Sequence, residues 1–134
     1  MAKLEDVEGI GPTYAEKLRQ AGVRSPAAFL KRAATPSGRK ELAEKSGISE
    51  QLILEWANHL DLYRIKGIGS EYSDLLEEAG VDTVVELAQR NPENLYQKLV
   101  EVNTAKKLVR KMPVLSQVAN WIEQAKSLPR VLEY

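Results

Sequence analysis

The sequence has no cysteine and only one histidine, His59. Without cysteine there is no disulfide bond, no thiol nucleophile and no thiolate-bound zinc or iron–sulfur cluster, and a single histidine leaves few ligands for a transition metal. No run approaches the roughly 18 consecutive apolar residues that span a bilayer, and the acidic start Met1–Asp6 lacks the apolar core of a secretory signal. We therefore expect a cytoplasmic protein with no metal, no cofactor and no membrane partner.

The sequence also lacks an excess of either charge. In 134 residues, 19 Lys and Arg balance 19 Asp and Glu, so the formal net charge is zero. A strongly basic domain attracts polyanions over its whole surface, and this chain has no such general attraction. Any contact with nucleic acid must come from a local group of cations or from backbone N–H groups.

An internal repeat is present. At an offset of 58 positions, residues 7–32 match residues 65–90 with nine identities in 26 positions. The identities include three glycine pairs, Gly9/Gly67, Gly11/Gly69 and Gly22/Gly80. Chance is a poor explanation for glycines at matching offsets. The sequence therefore predicts two equivalent segments, a first repeat at residues 1–64 and a second repeat at residues 65–134.

Each repeat is predicted to end in an amphipathic helix. At an offset of 62 positions, apolar residues of the first repeat match apolar residues of the second, namely Leu52, Ile53, Trp56, Ala57 and Leu60 with Val114, Leu115, Val118, Ala119 and Ile122. Both sets follow the spacing i, i+1, i+4, i+5, i+8, which forms one stripe on a helix. This alignment gives the second repeat four extra residues and places Trp56 on the stripe and Trp121 beside it.

Capping and stop signals divide the rest of the chain into helices. Further helices begin after Ser25 and Thr83, Ser49 caps the long helix, and Thr35–Gly38 reads as a loop. The helices are expected at about residues 12–21, 39–46, 50–64, 70–79, 93–102, 104–111 and 113–127. No useful alternating pattern occurs, so we predict an all-α fold.

The most informative motif places Gly-Ile-Gly directly before a helix. It occurs twice, in the first glycine turn (Val7–Gly11) and the second glycine turn (Ile65–Gly69). A turn this tight needs backbone angles that only glycine adopts at low cost. The N–H groups and dipole of the following helix favour an anion such as phosphate. The alternative interpretation is structural: the glycines make a turn between packed helices, and Ile10 and Ile68 fill the core.

The first glycine turn, followed by Tyr14, Leu18 and Ala21-Gly22-Val23, resembles the hairpin of the helix-hairpin-helix superfamily. The resemblance covers both repeats, and the chain looks like an uncharacterised domain family made of two such repeats. It implies an all-α fold of two tandem helix-hairpin-helix repeats packed as one compact helical unit. It also implies hairpins that hold a nucleic-acid backbone without reading its bases.

Local charge distinguishes the two copies. Residues 1–33 carry six cations and four acids, or +2, whereas residues 63–91 carry three cations and six acids, or −3. The acidic helix after the second glycine turn would repel phosphate, so we expect the first turn to bind. The predicted nucleic-acid-binding residues are Gly9, Ile10, Gly11, Thr13, Lys17 and Arg19, with Lys66, Gly67 and Gly69 in the second turn.

Another basic group lies on the predicted helix 104–111 and comprises Lys106, Lys107, Arg110 and Lys111. The last three would share one helical face and could take phosphates. The alternative is a solvated face with cations favourably placed near a helix C-terminus.

The sequence shows no nucleophile–base pair, so we expect a protein that is not an enzyme. The main hypothesis is a module that binds the backbone of DNA or RNA through the first glycine turn, independently of sequence. The alternative is a protein–protein interaction or scaffold module that keeps the fold without binding nucleic acid. Zero net charge and the acidic second repeat favour that alternative.

Overall fold

The computed structural model describes residues 3–134, and every regular element in that part of the chain is helical. After a 3₁₀ turn at Leu4–Asp6, the helices are α1 (Gly11–Gln20), α2 (Pro26–Arg32), α3 (Pro36–Ser46), α4 (Glu50–Leu62), α5 (Ser70–Glu78), α6 (Val84–Ala88), α7 (Pro92–Lys106) and α8 (Leu115–Ser127). The predicted all-α fold is confirmed. None of these helices is long and apolar enough to cross a membrane.

Polar side chains cap the start of five of these helices, accepting a hydrogen bond from the backbone N–H three residues later. The caps are Ser25 for α2, Thr35 for α3, Ser49 for α4, Thr83 for α6 and Asn91 for α7. Such a cap satisfies one of the N–H groups that the first turn leaves without a helical partner. The predicted caps at Ser25, Ser49 and Thr83 are confirmed.

Two predicted boundaries are wrong. Thr35–Gly38 is the start of α3 rather than a loop, because the Thr35 hydroxyl accepts from the Gly38 N–H at 3.1 Å and proline fits the first helical position. The predicted helix 104–111 does not form, since α7 continues to Lys106 and ends at Lys107, which has a left-handed backbone with φ of 52°. The following residues are irregular as far as Val114, so Lys107, Arg110 and Lys111 share no helical face.

The described residues form two compact units. Unit one contains the described residues up to Asp61 together with Val131–Tyr134. Its core surrounds Trp56, whose ring lies 5.0 Å from that of Tyr14 and 6.2 Å from that of Phe29, measured between ring centroids. All three side chains are buried or half-buried.

The C-terminal segment Val131–Tyr134 completes unit one. Leu132 is buried, and the Glu133 N–H donates to the Ala34 carbonyl at 2.8 Å. The buried guanidinium of Arg39 donates to the carbonyls of Ala33 at 2.9 Å and Glu133 at 2.8 Å. A buried cation needs such acceptors, so the segment contributes both apolar and polar contacts.

Unit two comprises Leu62–Arg130. Within it α8 packs against α6 and α7. The ring of Trp121 lies 5.2 Å from that of Tyr72. Tyr72 occupies the same place in the repeat as Tyr14, so each unit contains one equivalent Tyr–Trp pair.

The two closing helices, α4 and α8, correspond at an offset of 65 positions. The buried stripe is Ile53, Trp56, Ala57 and Leu60 in α4 and Val118, Trp121, Ile122 and Ala125 in α8. The offset of 62 positions is therefore wrong, because it would bury Val114 and Leu115, which are 53% and 39% exposed. The second repeat has seven extra residues, the difference between 65 and 58, and Trp121 lies on the buried stripe.

Candidate nucleic-acid interface

The first glycine turn is closed by a hydrogen bond of 3.0 Å from the Ile10 N–H to the Val7 carbonyl. The matching bond in the second turn, from Ile68 to Ile65, is 3.1 Å long. The side chains of Ile10 and Ile68 are buried, at 2% and 5% exposed. Ile10 can therefore offer a ligand only its backbone, as the structural interpretation of this position requires.

The first glycine of each turn packs against a tryptophan. A Cβ atom on Gly9 would lie 3.0 Å from Nε1 of Trp56, and one on Gly67 would lie 3.1 Å from Nε1 of Trp121. Both glycines also have left-handed backbones, with φ of 88° and 103°. Packing and conformation thus explain these two glycines without a ligand.

The second glycine differs between the turns. Gly11 has φ of 65°, in the left-handed region, whereas Gly69 has φ of −117°, an extended conformation open to any residue. A Cβ atom on either glycine would meet no atom within 4 Å. Gly11 is therefore explained by its conformation, and neither conformation nor packing within the chain explains Gly69.

The helices that follow the glycine turns begin without a side-chain cap. At α1 the capping position is occupied by the buried side chain of Ile10, and at α5 by Gly69, which has no side chain. Thr13, in the first turn of α1, is exposed. The equivalent residue of α5 is Glu71, also exposed, which places a carboxylate at the helix start where the dipole favours a negative charge.

The predicted cations of α1 have different surroundings. Lys17 is exposed, and its ammonium group lies 5.8 Å from the centroid of the Tyr14 ring. Arg19 donates to Glu5 at 2.6 Å. This hydrogen bond from Arg19 is the main cause that lowers the pKa of Glu5, and it raises the pKa of Arg19. Arg19 already has an anionic partner, so Lys17 is the cation of α1 that an external ligand can reach.

Acidic residues surround the first glycine turn. Residues 5–14 line a shallow open concavity that includes Glu5, Asp6 and Glu8. The second turn instead carries Lys66 and follows Arg64. The charge count over whole segments favours the first repeat as a polyanion site, whereas the charges on the turns themselves favour the second.

Side chains of unit two hold the second glycine turn in place. The Lys66 N–H donates to Oε1 of Gln124 at 2.9 Å, and Nε2 of Gln124 donates to the Lys66 carbonyl at 3.0 Å. Nη2 of Arg64 donates to the Pro129 carbonyl at 2.6 Å. The side chain of Lys66 is exposed, as is Gly67. The sequence analysis does not identify Gln124 as a residue of this site. An alignment that matches Trp56 with Trp121, at an offset of 65 positions, could have indicated that Gln124 lies beside the second glycine turn.

Residues 3–134 contain no group of three or more His, Asp and Glu side chains that could hold a metal ion. The protein is all-α and has two glycine turns, each of which packs against a tryptophan. The chain belongs to the family described as a domain of unknown function (DUF4332), whose family model matches residues 8–128 and so covers both turns and both tryptophans. No curated protein and no solved structure matches the chain.

Proposed function

We propose that this protein is a non-enzymatic module of the helix-hairpin-helix type. It binds the phosphate backbone of DNA or RNA through the first glycine turn, independently of sequence. The observation that carries the proposal is the start of α1, which lies at an exposed turn and has no side-chain cap. The N–H groups of a first helical turn have no partner inside the helix, and a phosphate oxygen is a suitable acceptor for them.

The neighbouring residues support this placement. Open space faces the outer side of Gly11, so a phosphate can approach the backbone closely. Thr13 and Lys17 are exposed on α1, and they provide a hydroxyl donor and a cation. The Glu5 carboxylate is partly neutralised by Arg19, which reduces its repulsion of a phosphate.

The N-terminus of α1 alone contributes little binding energy. A helix N-terminus stabilises an anion by about 0.3–1 kcal/mol at an exposed site. Asp6 and Glu8 oppose an anion at the same turn. A single phosphate contact here would give weak binding, so a useful affinity needs further contacts along the same nucleic acid.

The test introduces Thr13→Glu and measures binding of a labelled duplex and a labelled single strand by fluorescence anisotropy over a salt series. The change introduces the residue that the second repeat has at this position, Glu71 in the first turn of α5. A carboxylate near a helix N-terminus interacts favourably with the helix dipole, so the variant should still fold. We expect weaker binding and a plot of log affinity against log salt that is shallower by about one unit.

The matched control is Gln51→Glu, which adds the same charge at an exposed position in the first turn of α4. We expect it to leave binding nearly unchanged. Wild-type protein that shows no salt-sensitive binding to either nucleic acid would refute the proposal and leave the protein-interaction module as the interpretation of the fold.

A further inference from the structure

The connection before the closing helix differs between the repeats. Three residues, 47–49, join α3 to α4, whereas eight residues, Lys107–Val114, join α7 to α8. We call Lys107–Val114 the basic loop, because it contains Lys107, Arg110 and Lys111 and no acid. No acidic residue occurs between Glu101 and Glu123. A chain of zero net charge thus concentrates cations at one of its longest connections.

The basic loop has a defined conformation. The Asn103 side chain accepts from the Val109 N–H at 3.0 Å and donates to the Val109 carbonyl at 3.3 Å. The Val109 side chain is buried. The hydroxyl of Tyr72, in the first turn of α5, donates to the Lys111 carbonyl at 3.0 Å. Contacts at both Val109 and Lys111 therefore fix the backbone from which the cations extend.

The cations of the basic loop have no ion-pair partner among residues 3–134. Lys106, just before the loop, is paired with Glu78 at 2.6 Å. Lys107, Arg110 and Lys111 are exposed and form no ion pair with any of residues 3–134. Like charges held close together on a fixed backbone repel one another. No acidic side chain in the described part of the chain pairs with these three cations, whereas an external polyanion would offset their repulsion.

We propose that the basic loop binds the phosphodiester backbone of a nucleic acid through Lys107, Arg110 and Lys111. The inference rests on the proposed function and adds a second contact, in unit two, to that of the first glycine turn. A nucleic acid presents regularly spaced phosphates, and each neutralised phosphate releases counterions that favour binding. Three such contacts favour binding more than a single helix N-terminus does.

An anionic membrane is the less favoured occupant. Only Val114 and Leu115, at the end of the loop and the start of α8, add exposed apolar side chains. Binding at a membrane interface requires a broad apolar face beside the cations. Two side chains do not form such a face, so the chemistry of the loop fits phosphodiesters in water better.

The test neutralises the loop with Lys107→Gln, Arg110→Gln and Lys111→Gln together. The matched control neutralises Arg24, Lys31 and Lys40, which are exposed, lie outside the glycine turns and have the same composition of one Arg and two Lys. Duplex and single-strand affinities are measured over a salt series for wild type, loop variant, control and Thr13→Glu. Circular dichroism and a thermal melt check that each variant folds.

We expect the loop variant to lose more than about tenfold in affinity near 0.1 M salt and to flatten the salt dependence by about three units, with little change in the control. If the loop variant melts early, Lys107→Gln with Lys111→Gln replaces it, with about two units expected. Equal losses in loop variant and control would overturn the inference, because net charge alone would then explain them.

Three further outcomes separate the inference from the proposed function. Loss of binding in Thr13→Glu with none in the loop variant overturns the inference and leaves the function intact. A wild-type protein without salt-sensitive binding overturns both. Vesicles containing phosphatidylserine form a separate arm, and a loop variant that loses vesicle binding while it keeps duplex binding shows that the loop contacts a membrane and overturns the inference.

Discussion

The two glycine turns have the same inner side and different outer sides. On the inner side, a Cβ atom on Gly9 would lie 3.0 Å from Nε1 of Trp56, and one on Gly67 would lie 3.1 Å from Nε1 of Trp121. On the outer side, Thr13 in the first turn of α1 corresponds to Glu71 in the first turn of α5. The comparison teaches that packing explains the first glycine of each motif, so the motif alone does not identify a binding site. The residues that differ on the outer side decide whether an anion can approach.

The largest expected effect tests the shared inner side. Trp56→Ala and Trp121→Ala each remove a buried indole that contacts a glycine turn and a tyrosine ring. Each should lower the free energy of unfolding of its own unit by about 3–5 kcal/mol, measured by urea denaturation. A small loss for one and a large loss for the other would show that the two tryptophans are not equivalent.

A smaller effect should distinguish the second glycines. Gly11→Ala forces a side chain into a left-handed backbone and should destabilise the protein by about 1–2 kcal/mol. Gly69→Ala meets neither strain nor a clash and should cost only about 0.5 kcal/mol, because alanine is a poorer N-cap than glycine. The same denaturation experiment measures both. Equal losses would mean that Gly69 has a role in folding that its backbone angles do not show.

The smallest expected effect concerns a charge difference between the repeats. Asp82 occupies the position of Arg24, and burial, followed by the charge of Glu86, raises the pKa of Asp82 above its ordinary value of 3.8. The folded state therefore binds this proton more tightly than the unfolded state, and stability falls as the pH rises through the raised pKa.

Asp82→Asn removes this half-buried charge and should raise the melting temperature at pH 7 by about 1 °C. The difference should disappear below the ordinary pKa, where wild-type Asp82 is neutral in both states. Thermal melts at both pH values check the sign. A variant that melts lower than wild type at pH 7 would contradict it.

Local signals in the sequence were enough for most helix boundaries. Ser25 and Thr83 could be predicted as helix caps because each side-chain oxygen accepts a hydrogen bond from a backbone N–H only three residues later. Such a cap depends on neighbouring residues alone. The start of α3 at Pro36 differs from the predicted loop because glycine, as at Gly38, is typical of turns. Gly38 is instead required by close packing, since a Cβ atom there would clash with the Arg32 carbonyl. This contact depends on how α2 packs against α3, which the residue types alone do not show.

The charge environment of the site was harder to predict than the motif. The glycine turns could be located by their repetition, but the pairing of Arg19 with Glu5 joins residues 14 positions apart and depends on how the 3₁₀ turn lies against α1. The basic loop is irregular and exposed because α7 ends at Lys107. No glycine or proline at this point of the sequence indicates that the helix ends there. Both features follow from tertiary contacts rather than from periodicity.

The return of Val131–Tyr134 to unit one makes that unit discontinuous in the chain. The hydrogen bond from Arg39 to Glu133 joins residues 94 positions apart, and closing a flexible loop of that length costs about 4 kcal/mol in entropy. Unit two is continuous, although its own hydrogen bond from Arg64 to Pro129 joins residues 65 positions apart. During synthesis, most of unit one emerges from the ribosome first, but the unit cannot be completed until Leu132 has been added. Completion of unit one therefore has to wait for the synthesis of all of unit two.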